Sequence, residues 1–491
     1  MTAIETEMKT EIKTVPFYVG GKWETPAGKT QPVTNPATGE VIAHLPYATP
    51  SDLDRVIRNS HEAFLSWRQV PVVERVQVLY RYKALLDQHA DEIAAILTSE
   101  NGKTLEDARL EVRRAIQMVE VSCGMPSLMM GDSLNDVARG IDCRTIRQPI
   151  GVCVGITPFN FPAMVPTWMF PFAIAAGNTF ILKPSEKVPL TPTRMVELLH
   201  DAGLPAGVLQ LVHGGKECVD ALLTHPLVRA ASFVGSTPIA KYVYQTAAAN
   251  GKRVQALGGA KNHLVVMPDA DLPKTVEAIM SSAFGAAGER CLAGSVLVAV
   301  GSVAEPLLEL LVSKTKALTV GNGAKQGMEM GPLVTAEHKK RVVCYIEQGV
   351  AEGATVLCDG RDVEKTHKDG FFVGPTIFDN VTPQMTIARE EIFGPVLSVI
   401  RTPDLDSAID LVNSSTFGNA TAIFTNDGRA AREYQARVDV GMVGVNIGVA
   451  APMAFFPFAG WKGSFFGDLH AHGKDAVYFY TEQKVLMTRW F

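Results

Sequence analysis

From Gln148 to Leu182 the chain carries no charged side chain. Few placements accept such a stretch. A membrane span needs roughly 20 apolar residues in one run. This run is interrupted by Pro149, Pro158, Pro162, Pro166 and Pro171, and it holds Asn160 and Asn178. Repeated prolines break a helix. The stretch therefore reads as a buried strand–loop–helix–strand unit of a covered parallel sheet, and not as a membrane span.

The flanking segments agree. Residues 15–46 read as short strands and turns, with a turn at NPATGE. SDLDRVIRNSHEAFLSW then predicts a helix capped by Ser51, with Asp54 three residues on. VVERVQVLYRYKALLDQHADEIAAIL and LEDARLEVRRAIQMVEV continue the helical period. From about 150, the strand candidates GVCVGI, TFILKP, VLQLVHG, ASFVGS and RVQAL alternate with helical segments. That alternation predicts an α/β fold with a doubly wound parallel sheet. A second α/β run, from HLVVMPDA near 262 through MVGVN, predicts a second domain. The end, DAVYFYTEQKVLMTRWF, reads as a strand in need of a partner, for which another subunit is the candidate.

A length of 491 residues suits two or three domains. The net charge of -5 leaves no electropositive footprint for nucleic acid. The start, MTAIETEMKTEIKT, lacks a secretory apolar core and is too acidic for a transit peptide. A short, loosely ordered start in a cytoplasmic protein is expected. Seven scattered cysteines, with no CxxC and no HExxH, point to free thiols in a reducing compartment and to no metal site.

No GxGxxG is present, so an α/β sheet alone does not establish nucleotide binding. ILKPSE places Lys183 and Glu186 just after a strand, and FVGST places Ser236 at a strand-to-helix turn. A helix N-terminus suits a phosphate, and a carboxylate after a strand suits ribose hydroxyls. A plain cap and a solvated loop account for the same residues. FGAAGERCLAGS sets Cys291 among small residues beside Arg290. A neighbouring cation favours the thiolate; a buried core thiol is the alternative. Asn160, in TPFNFP, offers an amide that either stabilises an oxyanion or ties a loop.

KPSE, FVGST, ALGGAKN, GERC and EEIFGPV occur in that order. With them the sequence resembles the aldehyde dehydrogenase superfamily over nearly its whole length. The resemblance implies that Cys291 is the nucleophile and that Asn160, with the Cys291 backbone N–H, forms the oxyanion hole. It places Lys183 and Glu186 on the adenosine ribose, Ser236 on a phosphate, and Glu391 on the nicotinamide ribose with Phe393 nearby. Thr157, Phe159, Lys187 and Gly258 would line the cofactor cleft. NAD is expected over NADP, because the charge of Glu186 repels a 2′-phosphate. An aldehyde-dehydrogenase-like fold follows: two doubly wound domains and a small β oligomerisation arm. The NAD-binding domain would comprise 1–124 and 147–256, and the catalytic domain 257–460. The arm and tail would comprise 125–146 and 461–491, in a homotetramer built as a dimer of dimers.

One departure narrows this. Hydrolytic members carry glutamate at the head of ELGG, where it activates water. Here VQALGGAKNH places Ala256 there, and alanine accepts no proton. An acyl-cysteine would then await a thiol. PSLMMGDSL, GAKNH and PMAFFPFAGWKGSFFG resemble the CoA-acylating methylmalonate-semialdehyde dehydrogenases. That resemblance implies CoA as co-substrate and oxidation of malonate or methylmalonate semialdehyde to acetyl-CoA or propionyl-CoA. It also implies that Arg114 and Arg290 hold the substrate carboxylate, with Arg113 still open as the inward residue of EVRRAI. Valine, pyrimidine and inositol breakdown all remain open. Two rivals stand beside this reading: a hydrolytic dehydrogenase with a relocated base, and a non-catalytic protein that keeps the fold.

Overall fold

The computed structural model describes residues 12–365 and 367–491. Residues 1–11 of the expected loose start lie outside the described residues. The chain enters a sheet with β1 (Phe17–Val19) and β2 (Lys22–Glu24), then forms α1 (Pro50–Trp67), α2 (Val72–Gln88), α3 (Ala90–Asn101) and α4 (Leu105–Cys123). The cap of α1 is Thr49, not Ser51. Its side chain accepts from Asp52 N while Asp52 Oδ2 accepts from Thr49 N at 3.0 Å. Pro50 explains the shift: it has no N–H and fits the first helical position, so the cap must precede it. The long helical pattern after 72 is two helices, which meet at His89.

Two strands, β3 (Ser133–Ala138) and β4 (Ile141–Pro149), project next, before the chain returns as β5 (Val152–Ile156), β6 (Thr179–Lys183), β7 (Leu209–Leu211), β8 (Val228–Val234) and β9 (Arg253–Leu257). A second run supplies β10 (Asn262–Val266), β11 (Gly294–Val300), β12 (Thr355–Cys358), β13 (Thr376–Asp379), β14 (Val396–Thr402), β15 (Ala420–Phe424) and β16 (Met442–Val445). The end contributes β17 (Phe465–Gly467) and β18 (Thr481–Arg489). The first sheet has the order β17-β9-β8-β5-β6-β7-β1-β2. Its central strands, β9 through β7, are parallel, and antiparallel strands close both edges. The second sheet has the order β12-β13-β14-β11-β10-β15-β16 and is parallel except at β12. The fold is the expected α/β class.

The charge-free run forms β5, a loop, the short helices Met164–Thr167 and Phe170–Ala176, and β6. Both strands are buried throughout. Alternate residues of β5 serve opposite faces. Val152 and Val154 pack with Val56 and Ile57 of α1, and Cys153 packs in the cluster of α2 and α4. Among the described residues no helix is long and apolar enough to cross a membrane.

The tail departs from expectation. DAVYFY is largely helical, within Gly473–Phe479, and β18 pairs with β4 of its own chain, Thr481 against Pro149 through Arg489 against Ile141. Residues 465–467, expected with the tail, instead extend the first sheet beside β9. Asn178 stitches these parts together. Its Oδ1 accepts from Ile150 N (2.7 Å) and Gly151 N (3.0 Å), and its Nδ2 donates to Ala173 O (3.2 Å) and Tyr480 O (2.8 Å). It is fully buried. Asn178→Ala removes the side-chain partner of Ile150 N, Gly151 N and Tyr480 O, while Ala173 O keeps the Asn178 N–H, so we expect a loss of about 2–4 kcal/mol in chemical denaturation; a loss below about 0.5 kcal/mol contradicts this account.

Candidate active site

In a parallel sheet, ligands gather at the carboxyl ends of the strands. Here the strands β9, β8, β5 and β6 lie side by side, and each ends at an expected cofactor residue. Thr157 follows β5, Lys183 ends β6, Ser236 follows β8 and Gly258 follows β9. Thr157 N donates to Lys183 O at 3.1 Å, locking two of these ends together. The Thr157 hydroxyl is buried without a hydrogen-bond partner among the described residues. Ser236 is the N-cap of the helix Thr237–Ala249, yet its side chain makes no capping bond. That leaves its hydroxyl available beside the free N–H groups of the first turn. Lys183 Nζ lies 3.2 Å from Glu186 Oε2. Burial works to raise the Glu186 carboxyl, but Lys183 and Lys187 outweigh it and hold the group below its ordinary value. An ionised acceptor for ribose hydroxyls results. Two unused hydroxyls and one fixed carboxylate at adjoining strand ends fit a nucleotide.

Gly258 is required by crowding. A Cβ there would lie 2.7 Å from Gly463 O and 2.9 Å from Thr237 Oγ1. At Gly259 a Cβ would lie 2.3 Å from Glu391 Oε2, and Glu391 Oε1 accepts from Ala260 N at 2.9 Å. Burial pushes Glu391 up to about 7 and pulls the neighbouring Lys261, whose Nζ has no hydrogen-bond partner among the described residues, down to about 7. Phe159 meets Phe393 edge to face at 5.8 Å, with Lys187 Nζ 4.7 Å above the Phe159 ring.

Cys291 opens on a different space, a cavity of about 560 Å³ that Arg114, Phe161, Arg290 and Phe458 also line. The loop 157–161 serves both sides: Phe159 joins the aromatic cluster, Phe161 faces the cavity, and Asn160 stands between them. The Asn160 side chain is buried and makes no hydrogen bond among the described residues. The turn before Cys291 is unusual. Ala286 and Ala287 hold φ of 49° and 53°, in the left-handed region that L residues seldom occupy. Asp107 of α4 accepts from Ala286 N at 3.2 Å and binds Arg290 Nη2 at 2.5 Å. Arg290 Nη1 donates to Ser281 O at 3.2 Å. Arg290 is thus already engaged. Arg114 is not: its Nη1 touches only Gln117 Oε1 and Met453 Sδ, and no carboxylate pairs with it among the described residues. Arg114 is half-buried and Arg113 exposed, although both border the cavity.

Several buried groups here gave no signal in sequence. Glu289, in GERC, is pushed up to about 8 by burial; it accepts from Val334 N at 3.2 Å and lies 3.6 Å from His338 Nε2. The buried Lys103, Glu111 and Lys261 and the half-buried Asp107 likewise give no local signal. Their periodicity on a helix or position in a loop matched ordinary solvated residues.

Cys291 keeps partial exposure to the cavity, but its thiol is shut away enough that burial, and then the charge of Glu391, push it up to about 12. The Cys291 and Leu292 N–H groups and Arg290 oppose this without overcoming it. The ligand-free thiol is therefore protonated at neutral pH. Iodoacetamide labelling of Cys291, followed by peptide mass spectrometry, should rise about tenfold per pH unit from about pH 7 to 9, because only the thiolate reacts. A plateau below about pH 8 contradicts this.

The profile of the Aldehyde dehydrogenase family matches residues 23–486. Malonate-semialdehyde dehydrogenase 2 of Geobacillus kaustophilus is 53% identical over 484 residues, covering 98% of this chain and 100% of that protein. The crystal structure of methylmalonate-semialdehyde dehydrogenase from Oceanimonas doudoroffii superposes with a TM-score of 0.96 at 48% identity, covering 98% of this chain and 99% of that one. A Sinorhizobium meliloti protein named for the same activity and crystallised with NAD gives 0.96 at 44% identity, with 98% and 99% covered.

Proposed function

The chain belongs to the aldehyde dehydrogenase family, and from that premise we propose that it oxidises malonate and methylmalonate semialdehyde with NAD and passes the acyl group to CoA through a thioester on Cys291. The names of its relatives support the substrate class. One observation carries the CoA step. Ala256, where hydrolytic members place their glutamate, is wholly buried in β9 between Phe233 and Phe466. Nothing at that position takes a proton from water.

Lys183 and Glu186 hold the adenosine ribose, Ser236 a phosphate and Glu391 the second ribose, while Thr157, Phe159, Lys187 and Gly258 shape the cleft. NAD supplies the hydride acceptor when bound. The Cys291 thiol gives up its proton to solvent and adds as the thiolate to the aldehyde carbon, and the Asn160 amide with the Cys291 N–H holds the resulting oxyanion. Oxidation leaves a thioester whose β-carboxylate departs as carbon dioxide, giving a stabilised enolate that is then protonated. The CoA thiolate displaces the acetyl or propionyl group and frees Cys291. Arg114 is the main partner of the substrate carboxylate, since Arg290 already serves Asp107. A cytoplasmic homotetramer completes the reading. The outer edge of β18 is open and exposes Val485 and Met487, which suits a subunit contact.

With methylmalonate semialdehyde and NAD but no CoA, a burst of one NADH per active site should precede a stalled steady state, the sign of an accumulating acyl-enzyme. Undiminished steady turnover to free acid sinks the CoA step. Arg114→Met should raise KM for malonate semialdehyde about 10–100-fold, the value of a charge-assisted hydrogen bond. Its effect on neutral propanal should be small, and an equal loss on both substrates removes Arg114 from carboxylate recognition.

A further inference from the structure

The loop that carries Asn160 lies inside the charge-free stretch, so no residue of its own segment anchors it with a charge. Its anchors come from the end of α3, the turn after it and the second turn of α4. Lys103 Nζ donates to the Asn160 carbonyl at 2.6 Å and to Glu111 Oε2 at 2.7 Å. Glu111 Oε1 accepts from Ala163 N at 2.8 Å and Met164 N at 3.2 Å. The two side chains are 2% and 0% exposed. Lys103 Nζ also lies 4.4 Å over the Phe161 ring. Just upstream, Asn101 Nδ2 donates to Phe159 O at 3.0 Å. Every residue from 159 to 164 except Pro162, which has no N–H to offer, is thus tied to Asn101, Lys103 or Glu111.

The Asn160 amide itself is tied to nothing within the described residues. Its direction depends on its backbone, and that backbone is held by a donor on one side and an acceptor on the other. Such fixing of a donor before charge develops is what makes an oxyanion site effective. We infer that Lys103 and Glu111 are paired positioning residues that preorganise the Asn160 amide for the oxyanion. The inference rests on the proposed role of Asn160. A paired lysine and glutamate meet the need together: one satisfies the carbonyl, the other the two amides, and each neutralises the other's charge.

The test measures initial rates of NADH formation with malonate semialdehyde, NAD and CoA for Lys103→Met, Glu111→Gln, Asn160→Ala and the Glu111→Gln/Asn160→Ala double variant. Iodoacetamide labelling of Cys291 is measured in parallel to show that the nucleophile is undisturbed. Glu111→Gln is isosteric and keeps an acceptor for Ala163, so it carries the test should Lys103→Met misfold. Each of these two single variants should lose kcat about 10–100-fold, the cost of a slightly misplaced group. KM should stay within about twofold, because the oxyanion exists only after attack. In the Asn160→Ala background the Glu111→Gln loss should shrink to under about twofold, since there is no amide left to position. Lys103→Arg should recover part of the rate. A loss that persists in full without Asn160 overturns the inference, as does a KM rise confined to acidic aldehydes, which makes Lys103 a substrate ligand instead. An Asn160→Ala enzyme with full kcat overturns the oxyanion reading itself, and so separates the two failures.

Discussion

A loop without charge, buried against a sheet, must find partners elsewhere for its backbone amides and carbonyls. Leaving such groups unpaired costs about 1–3 kcal/mol each. For residues 159–164 those partners are Asn101, Lys103 and Glu111, at the junction of α3 and α4. One turn before Glu111, Asp107 does the same for the left-handed turn that precedes Cys291. Removing one partner of a buried ion pair costs about 3–5 kcal/mol. The first two turns of α4 therefore fix the two sides of the proposed oxyanion site relative to each other, though these sides are 131 residues apart in sequence (160 to 291).

Sheet order provides the second framework. Residues 157, 183, 236 and 258 are far apart along the chain but end adjacent parallel strands, so their spacing is set by strand separation rather than by loops. The antiparallel strand β17 completes this edge. It brings Gly463 and Ser464 onto the Gly258 turn, where Ser464 O accepts from Gly258 N at 2.8 Å. A stretch assigned by sequence to the tail thus borders the proposed cofactor side.

The elements most legible in sequence were those whose side chains repeat with the period of the backbone. β5, β6, β8 and β9 were readable as compact apolar runs, and the charge-free segment as a buried unit. Caps and ends were less so. Ser51 looked like the cap of α1 because it is the more usual capping residue, and only Pro50 shows why Thr49 takes that place. The final strand was legible as a strand but not its partner, since pairing depends on how β4 projects. At the candidate site, ordered motifs exposed Cys291, Asn160 and Glu391. Lys103 and Glu111 stayed hidden. They belong to a segment rich in charge, GKTLEDARLEVRR, where nothing local distinguishes an inward lysine or glutamate from a solvated one.

On the proposed function, one cavity must both bind an acid and keep the Cys291 thiol quiet, with Arg114 and Arg290 lining it. Burial first, and then the charge of Glu391, hold the thiol up against the opposing charge of Arg290, and Arg290 is itself paired with Asp107 at 2.5 Å. Arg114, without a carboxylate partner, lines the same cavity and has donors left over. An incoming carboxylate therefore meets one cation already neutralised and one not. In the proposed reaction it settles on Arg114 without first having to displace Asp107, whose bond to Ala286 N maintains the turn before Cys291. The proposed function thus assigns substrate recognition and nucleophile geometry to different arginines.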